Sequence, residues 1–255
     1  MSTIANQAFR FRPTALHLYT TPYSGCSARV RITASLKSIR DSIPIQYHTI
    51  DYSGAEHRTE KYRSLNPNAS LPTLVVEYTQ HDTSAANQDM TGEKHTLTIT
   101  QSLAILDWLE QNFPSPPLLP DSSNPWARAK VLELASLVAC DIQPPQSTRY
   151  RQKIAADYGG DGDAWARFVY ERGLSVYETL LARSSGGLAD TNGKYSVGDQ
   201  VTLADVCLVP AAQGALRVGI DLKKWPLVKE IVEECWKLPQ FQQEGLGQHG
   251  RLDPR

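Results

Sequence analysis

The sequence is informative first for what it lacks. Its 255 residues contain no apolar run near the roughly 18 to 20 residues that a membrane-spanning helix needs. The beginning of the chain has no apolar core of the secretory type, so we expect a cytoplasmic protein. Acidic and basic side chains nearly cancel, to a net charge of -1, which gives no overall attraction to nucleic acid or anionic membranes. We therefore expect neither as a partner.

Cysteine is scarce and scattered. The four cysteines form no Cys-x-x-Cys pair, and the chain contains neither a His-Glu-x-x-His pattern nor a Gly-x-Gly-x-x-Gly loop. These absences disfavour a disulfide scaffold, a metal site and nicotinamide binding. Cys140, Cys207 and Cys235 lie in apolar helical segments, so we predict that they are core residues.

The first 14 residues contain two arginines and no acidic residue, which is a weak feature of mitochondrial transit peptides. The alternative is a frayed terminus. A mitochondrial location therefore stays open beside the cytoplasmic one.

The hydrophobic pattern predicts a mixed α/β domain over residues 13–113. The strand-like segments are residues 16–19, 45–51, 71–76 and 97–99. Apolar residues recur at helical spacing over residues 28–39, and a second helix opens at Gln101 and Ser102. The resulting order, βαβ followed by ββα, is the layout of a thioredoxin-like domain with a right-handed parallel crossover.

The remaining chain is predicted to be helical. A polar stretch, residues 79–96, separates the last two strands and is predicted to be a hairpin insertion. Residues 114–125 are rich in proline and predict a stiff linker, because proline cannot continue a helix. Residues 126–255 then carry helical spacing and predict an all-α domain.

Apolar spacing also predicts which helical faces are buried. The predicted buried residues are Trp165, Phe168, Val169, Val176 and Leu180 in one helix and Leu227, Ile231 and Cys235 in the last. Thr202 and Asp205 fit a capping box, which we assign to stability. Pro210 is predicted to kink the helix that follows this cap.

The sharpest local signal is the segment that starts at Ser24-Gly25-Cys26, where a strand ends and a helix begins. Free backbone N–H groups and the helix dipole favour an anion there. A hydroxyl at the same place stabilises a thiolate through a charge-assisted hydrogen bond. The alternatives are a simple N-cap role for Ser24 and an inert thiol at Cys26.

This segment resembles the serine-serine-cysteine signature of zeta-class glutathione transferases, with Gly25 in place of the second serine. The resemblance extends from Leu16 to about Gln242. Further similar segments are Leu65-Asn66-Pro67, Leu71-Pro72-Thr73-Leu74, Gln101 to Ile105, Asp141 to Pro144 with Gln146, and Val197 to Pro210. The resemblance implies the glutathione transferase fold, with a thioredoxin-like N-terminal domain and an all-α C-terminal domain that binds substrate. It also implies glutathione as cofactor and a homodimer.

The resemblance also implies residues that hold glutathione. Ser24 would donate a hydrogen bond to the sulfur, with Gly25 and Cys26 beside it. Pro72 would be cis and leave the Leu71 backbone to pair with the cysteinyl part. The remaining implied glutathione ligands are Gln101 and Ser102 for the γ-glutamyl carboxylate, with His57, Gln143 and Gln146. The alternative for His57, where the family has glutamine, is a solvated side chain.

Arg29 and Arg217 are candidates for binding substrate carboxylates, because guanidinium groups match carboxylates in a bidentate manner. Their alternative role is in surface salt bridges.

The implied reaction is the isomerisation of maleylacetoacetate, a dicarboxylate, to fumarylacetoacetate by thiolate addition, bond rotation and elimination, as in tyrosine breakdown. The alternatives are a general glutathione transferase or α-haloacid dehalogenase, and a noncatalytic interaction module of the same fold. Gly25 and Ser147-Thr148-Arg149 depart from the family pattern and suggest a differently tuned site.

Overall fold

The structure is a computed structural model that describes residues 11–80, 94–184 and 193–246. Within these ranges the chain divides into two compact units. The sheet unit contains residues 11–21, 38–80 and 94–105, and the helical unit contains residues 22–37, 106–184 and 193–246.

The sheet unit is built on four strands. They are β1 (Phe11–Thr20), β2 (Ile45–Thr49), β3 (Thr73–Gln80) and β4 (Lys94–Thr100), in the spatial order β2-β1-β3-β4. β1 pairs in parallel with β2, whereas β3 pairs antiparallel with both β1 and β4. This mixed topology confirms the predicted thioredoxin-like domain.

Alternation along the strands explains the core of this unit. Leu16 and Leu18 of β1 and Leu74 and Val76 of β3 are buried, as expected for residues that share one face of a sheet. A second cluster joins Ile50, Tyr62 and Leu71, with Tyr19 packed against it. The loop before β3 is therefore anchored by apolar contacts.

Nine α-helices lie in the described part of the chain. They are α1 (Gly25–Leu36), α2 (Glu60–Leu65), α3 (Ser102–Asn112), α4 (Pro125–Ser136), α5 (Thr148–Tyr158), α6 (Gly162–Ser184), α7 (Leu203–Arg217), α8 (Pro226–Trp236) and α9 (Pro239–Glu244). In the helical unit α7 is central, since α1, α4, α6 and α8 all contact it. None of these nine helices combines the length and apolar character that a bilayer crossing requires.

The predicted capping box of α7 is confirmed. The Asp205 carboxylate accepts hydrogen bonds from the backbone N–H groups of Thr202 and Ser196, each at 2.8 Å. Asp205 is completely buried, and burial raises the pKa of its carboxyl, so these bonds offset part of its loss of hydration. Pro210 lies inside α7, which continues through it from Leu203 to Arg217.

Three sequence predictions about burial are wrong. In α6 the predicted face is largely exposed: Trp165, Phe168 and Val176 keep 38%, 57% and 37% of their surface. The buried side chains of α6 are those of Ala166, Val169, Tyr170, Leu174, Tyr177 and Leu181. In α8 Leu227 is exposed, and Cys140 is exposed while Cys207 and Cys235 are buried. Apolar residues lie on two faces of α6, and the buried face is the one that contains Tyr170 and Tyr177.

Both ends of the predicted polar insertion belong to the sheet. Thr79 pairs with Lys94, so the β3–β4 hairpin extends beyond the strand limits expected from the sequence. Likewise β1 begins at Phe11, within the segment considered a frayed terminus. Residues 81–93 of the insertion and residues 1–10 lie outside the described residues.

Candidate active site

Ser24 is the N-cap of α1. Its Oγ accepts a hydrogen bond from the backbone N–H of Ser27 at 3.1 Å. Because the oxygen acts as an acceptor here, its own O–H hydrogen can be donated to a thiolate. Gly25 and Cys26 are the first two residues of α1, and Cys26 is a half-buried free thiol. Capping and thiolate binding are therefore compatible at Ser24.

Gly25 lies directly against the side chain of Gln143. A Cβ atom at position 25 would lie 3.0 Å from Gln143 Oε1, closer than side chains normally pack. The absence of a side chain at Gly25 thus allows a carboxamide to approach the start of α1. Gly25 replaces the second serine of the serine-serine-cysteine pattern. The chain thus lacks that serine's hydroxyl and has the Gln143 carboxamide next to position 25.

Gln143 reaches this place because the chain there is not a regular α-helix. Residues Leu137–Ile142 form a π-helical turn after α4, and the Gln143 N–H donates to the Val138 carbonyl at 2.9 Å. Such turns often mark functional sites. Gln146 is 6% exposed, and its Nε2 donates to the Gln143 carbonyl at 3.1 Å. The Gln146 side chain therefore stabilises the backbone position of Gln143.

The two candidate arginines differ in exposure. Arg217, at the end of α7, is exposed, and its Nη2 donates to the Leu246 carbonyl at 2.9 Å. Its guanidinium carbon lies 5.6 Å from the ring centre of Tyr23, next to Ser24 in sequence. Partial burial lowers the pKa of Arg217, but a guanidinium remains charged at neutral pH.

Arg29 is only 1% exposed, so the alternative of a surface salt bridge is wrong for this residue. Burial at this level favours an electrostatic role inside the helical unit over direct contact with a carboxylate. Its charge acts on the buried thiol of Cys207, where it opposes the rise in pKa, to about 11, that burial causes.

In the sheet unit, Pro72 and Gln101 lie at the same end of the β3–β4 ladder, since Thr73 pairs with Thr100. The Leu71–Pro72 peptide bond is cis, as predicted. Gln101 has a φ of 73°, a left-handed conformation that costs a non-glycine residue free energy and is often retained at ligand sites. Ser102 follows as the first residue of α3 and is buried.

Hydrogen bonds hold the loop that precedes Leu71. The Ser70 carbonyl accepts from Tyr62 Oη at 2.8 Å and from Asn66 Nδ2 at 2.9 Å. Both side chains also contact Thr73 Oγ1, at 2.8 and 2.9 Å respectively. The backbone that would face a ligand is therefore fixed before binding.

The alternative of a solvated His57 is wrong. His57 is 3% exposed, and its ring stacks on Tyr52 with 3.8 Å between centroids and 3° between planes. Its Nε2 accepts a hydrogen bond from Arg58 Nε at 3.3 Å. A role for His57 in binding glutathione stays a prediction.

Each unit by itself offers groups that suit part of a thiol tripeptide. The sheet unit offers an anchored loop at Leu71 and the start of α3, which suit an extended peptide and its carboxylate. The helical unit offers a hydroxyl, a carboxamide and the start of α1, which suit a thiolate. Among the described residues, no group of three His, Cys, Asp or Glu side chains is arranged to hold a metal ion.

Comparison with known families agrees with this geometry. Residues 23–112 match the glutathione S-transferase N-terminal domain, and residues 170–239 match the glutathione S-transferase C-terminal domain. Maleylacetoacetate isomerase of Emericella nidulans is 42% identical over 223 residues, which is 86% of each chain. A holo structure of a bacterial maleyl pyruvate isomerase of the zeta class is 31% identical, has a TM-score of 0.74, and covers 93% of this chain and 99% of its own. The chain belongs to the zeta class of glutathione S-transferases.

Another structural neighbour is the maleylacetoacetate isomerase of Anaeromyxobacter dehalogenans. Its structure with glutathione bound in the active site is 31% identical, with a TM-score of 0.72, and covers 96% of this zeta-class chain and all of its own. A further structure of that protein, with a TM-score of 0.71, 30% identity and 97% and 96% coverage, holds dicarboxyethyl glutathione and citrate. A carboxylate-bearing thioether therefore binds in the active site of that neighbour.

Proposed function

We propose that this zeta-class chain catalyses the glutathione-dependent isomerisation of maleylacetoacetate to fumarylacetoacetate, a step of tyrosine and phenylalanine breakdown. The observation that carries the proposal is the position of Ser24, whose hydroxyl caps α1 while retaining a hydrogen to donate. The activities named for the relatives agree with it.

The chemistry that bound glutathione supplies is a thiolate that adds to the cis double bond, permits rotation, and leaves to give the trans product. Ser24 donates to the sulfur, and Cys26 and the first N–H groups of α1 favour its negative charge. The Gln143 carboxamide adds a polar group beside Gly25, and Gln146 holds Gln143 in place.

The other assigned residues bind and orient. Leu71 and Pro72 present the backbone that pairs with the tripeptide. Gln101 and Ser102 hold its γ-glutamyl carboxylate. His57 is a further residue that binds glutathione. Arg217 binds a carboxylate of the substrate, and Arg29 stabilises negative charge from inside the helical unit.

We also propose that the protein is a homodimer, as the family suggests, and that it acts in the cytoplasm. The second proposal follows from four free cysteines and from a need for reduced glutathione, which both suit a reducing compartment.

The test is an isomerisation assay with maleylacetone or maleylacetoacetate, with and without glutathione, beside a chloroacetate dehalogenation assay. Glutathione-dependent isomerisation that exceeds dehalogenation supports the proposal. Dehalogenation alone would favour a haloacid-processing transferase. The absence of glutathione binding by calorimetry would favour an interaction module.

A further inference from the structure

Three tyrosines in the described residues are buried, and one differs from the others. Tyr62 Oη donates to the Ser70 carbonyl at 2.8 Å, and Tyr177 Oη lies 2.8 Å from Ser196 Oγ. Tyr170 is 3% exposed, and its hydroxyl forms no hydrogen bond with any described residue. Its oxygen is not among the buried side-chain atoms that lack a partner, so it lies where solvent or a ligand can reach it. A tyrosine hydroxyl on an otherwise buried ring normally has a partner, and this one is open to a bound molecule.

The hydroxyl of Tyr170 occupies a place that only glycine permits. It extends from α6 to α7, where a Cβ atom at Gly214 would lie 2.2 Å from Tyr170 Oη and 3.1 Å from Cζ. Gly214 precedes Arg217 by about one turn of the same helix. The hydroxyl is thus held on the part of α7 that carries the candidate substrate arginine.

Charged and titratable groups from three helices act on this hydroxyl. Burial is the main cause that raises the pKa of Tyr170, and Cys26 of α1 adds to it, while Arg151 of α5, Arg217 of α7 and Arg29 of α1 oppose it. The group therefore stays protonated and remains a donor at neutral pH. A neutral donor within electrostatic reach of three arginines and of Cys26 suits an oxygen that gains negative charge.

We propose that Tyr170 is a catalytic residue whose hydroxyl donates a hydrogen bond to the substrate's keto oxygen next to the double bond. This inference rests on the proposed isomerase function. When a thiolate adds to one carbon of the double bond, the displaced electron pair moves to that conjugated oxygen, and it returns when the thiolate leaves. The proton stays on Tyr170 throughout, so the step requires no further reactant.

The test compares Tyr170→Phe with Tyr177→Phe, a matched substitution on the same helix. Loss of one such donor should lower kcat by about 30-fold in Tyr170→Phe, with little change in KM or in glutathione affinity by calorimetry. Its thermal midpoint should not fall, because the hydroxyl has no hydrogen-bond partner in residues 11–80, 94–184 and 193–246. Tyr177→Phe should show the opposite result, a lower thermal midpoint and an unchanged kcat.

Gly214→Ala keeps the tyrosine but displaces its hydroxyl, so it should reproduce the loss in kcat. If the parent enzyme isomerises maleylacetone and Tyr170→Phe retains kcat within twofold, the inference is wrong while the proposed function stands. A lower thermal midpoint in Tyr170→Phe, equal to that of Tyr177→Phe, would also overturn it, since the hydroxyl would then be a structural bond. An inactive parent enzyme would contradict the proposed function itself.

Discussion

The sheet unit and the helical unit contribute different kinds of chemical group. At the Leu71 loop and at the start of α3 the sheet unit offers mainly backbone, held by Tyr62 and Asn66 and by the left-handed Gln101. The helical unit offers side chains: Ser24, Gln143, Arg217 and Tyr170. Backbone recognition depends on the fold, whereas side-chain chemistry changes with single substitutions. On the proposed function, the sheet unit would bind the backbone of the tripeptide, whereas the helical unit would hold its sulfur and set the reaction.

The largest effect should come from Asp205→Ala, which removes the buried carboxylate of the α7 cap. The N–H groups of Ser196 and Thr202 would lose their acceptor, at a cost of about 3 kcal/mol in unfolding free energy. Urea denaturation measures it. Asp199→Ala, at an exposed position that accepts from Lys194 N–H at 3.3 Å, is the control. Equal losses in the two variants would show that the buried cap at Asp205 contributes no more stability than an exposed turn.

Ser24→Ala should lower kcat by about 30-fold, or about 2 kcal/mol, because the thiolate loses its hydroxyl donor. It also removes the N-cap of α1, which should cost about 1 kcal/mol of stability. The measurements are steady-state kinetics and the pH dependence of thiolate absorbance. Ser24→Thr retains a hydroxyl and serves as the control. An unchanged pH profile in Ser24→Ala would contradict the assignment.

Gly25→Ala should weaken glutathione binding about fivefold, close to 1 kcal/mol, because the new Cβ displaces the Gln143 carboxamide. Calorimetry of this variant, of Gln143→Ala and of the double variant forms a cycle. Since both changes disturb one contact, their effects should not add. Additive losses would mean that Gly25 and Gln143 act separately.

Gln101→Gly tests whether the sheet unit recognises its ligand through the backbone. Glycine accepts a φ of 73° without strain, so stability should rise by up to about 1 kcal/mol. Glutathione affinity should stay within about threefold if backbone groups carry the recognition. A tenfold weakening would assign the binding to the Gln101 side chain and remove the contrast between the units.

The smallest expected effect is a change in the pH dependence of stability at His48 in strand β2 of the sheet unit. Partial burial, and then the electrostatic interaction with His17, lower the pKa of His48 below 6.5. His17 Nδ1 and His48 Nε2 lie 3.2 Å apart. The unfolded chain then binds the proton more readily, so stability falls as pH drops below about 6.5. His48→Gln should flatten this slope slightly in urea titrations between pH 7 and 5. A steeper slope in the variant would show the opposite sign of coupling.

Local patterns were sufficient for much of the fold. The alternation at Leu16 and Leu18, the Thr202 and Asp205 cap and the position of Ser24 each depend on a few neighbouring residues, and each was predictable. The buried face of α6 was not, because apolar residues lie on both sides of that helix. The approach of Gln143 to Gly25 depends on a π-helical turn that no sequence spacing signals.

The sequence by itself determined the order of strands and helices and the helix start where Ser24 lies, because these follow from short-range spacing and capping. Its motifs, by their resemblance to a known class, also indicated the family. Tertiary structure alone decided which polar groups meet across helices: the carboxamide beside Gly25, the buried Arg29, and the hydroxyl of Tyr170 over Gly214. Such contacts depend on how several helices pack at once. A hydrophobic period identifies a buried face but not the neighbour that it meets.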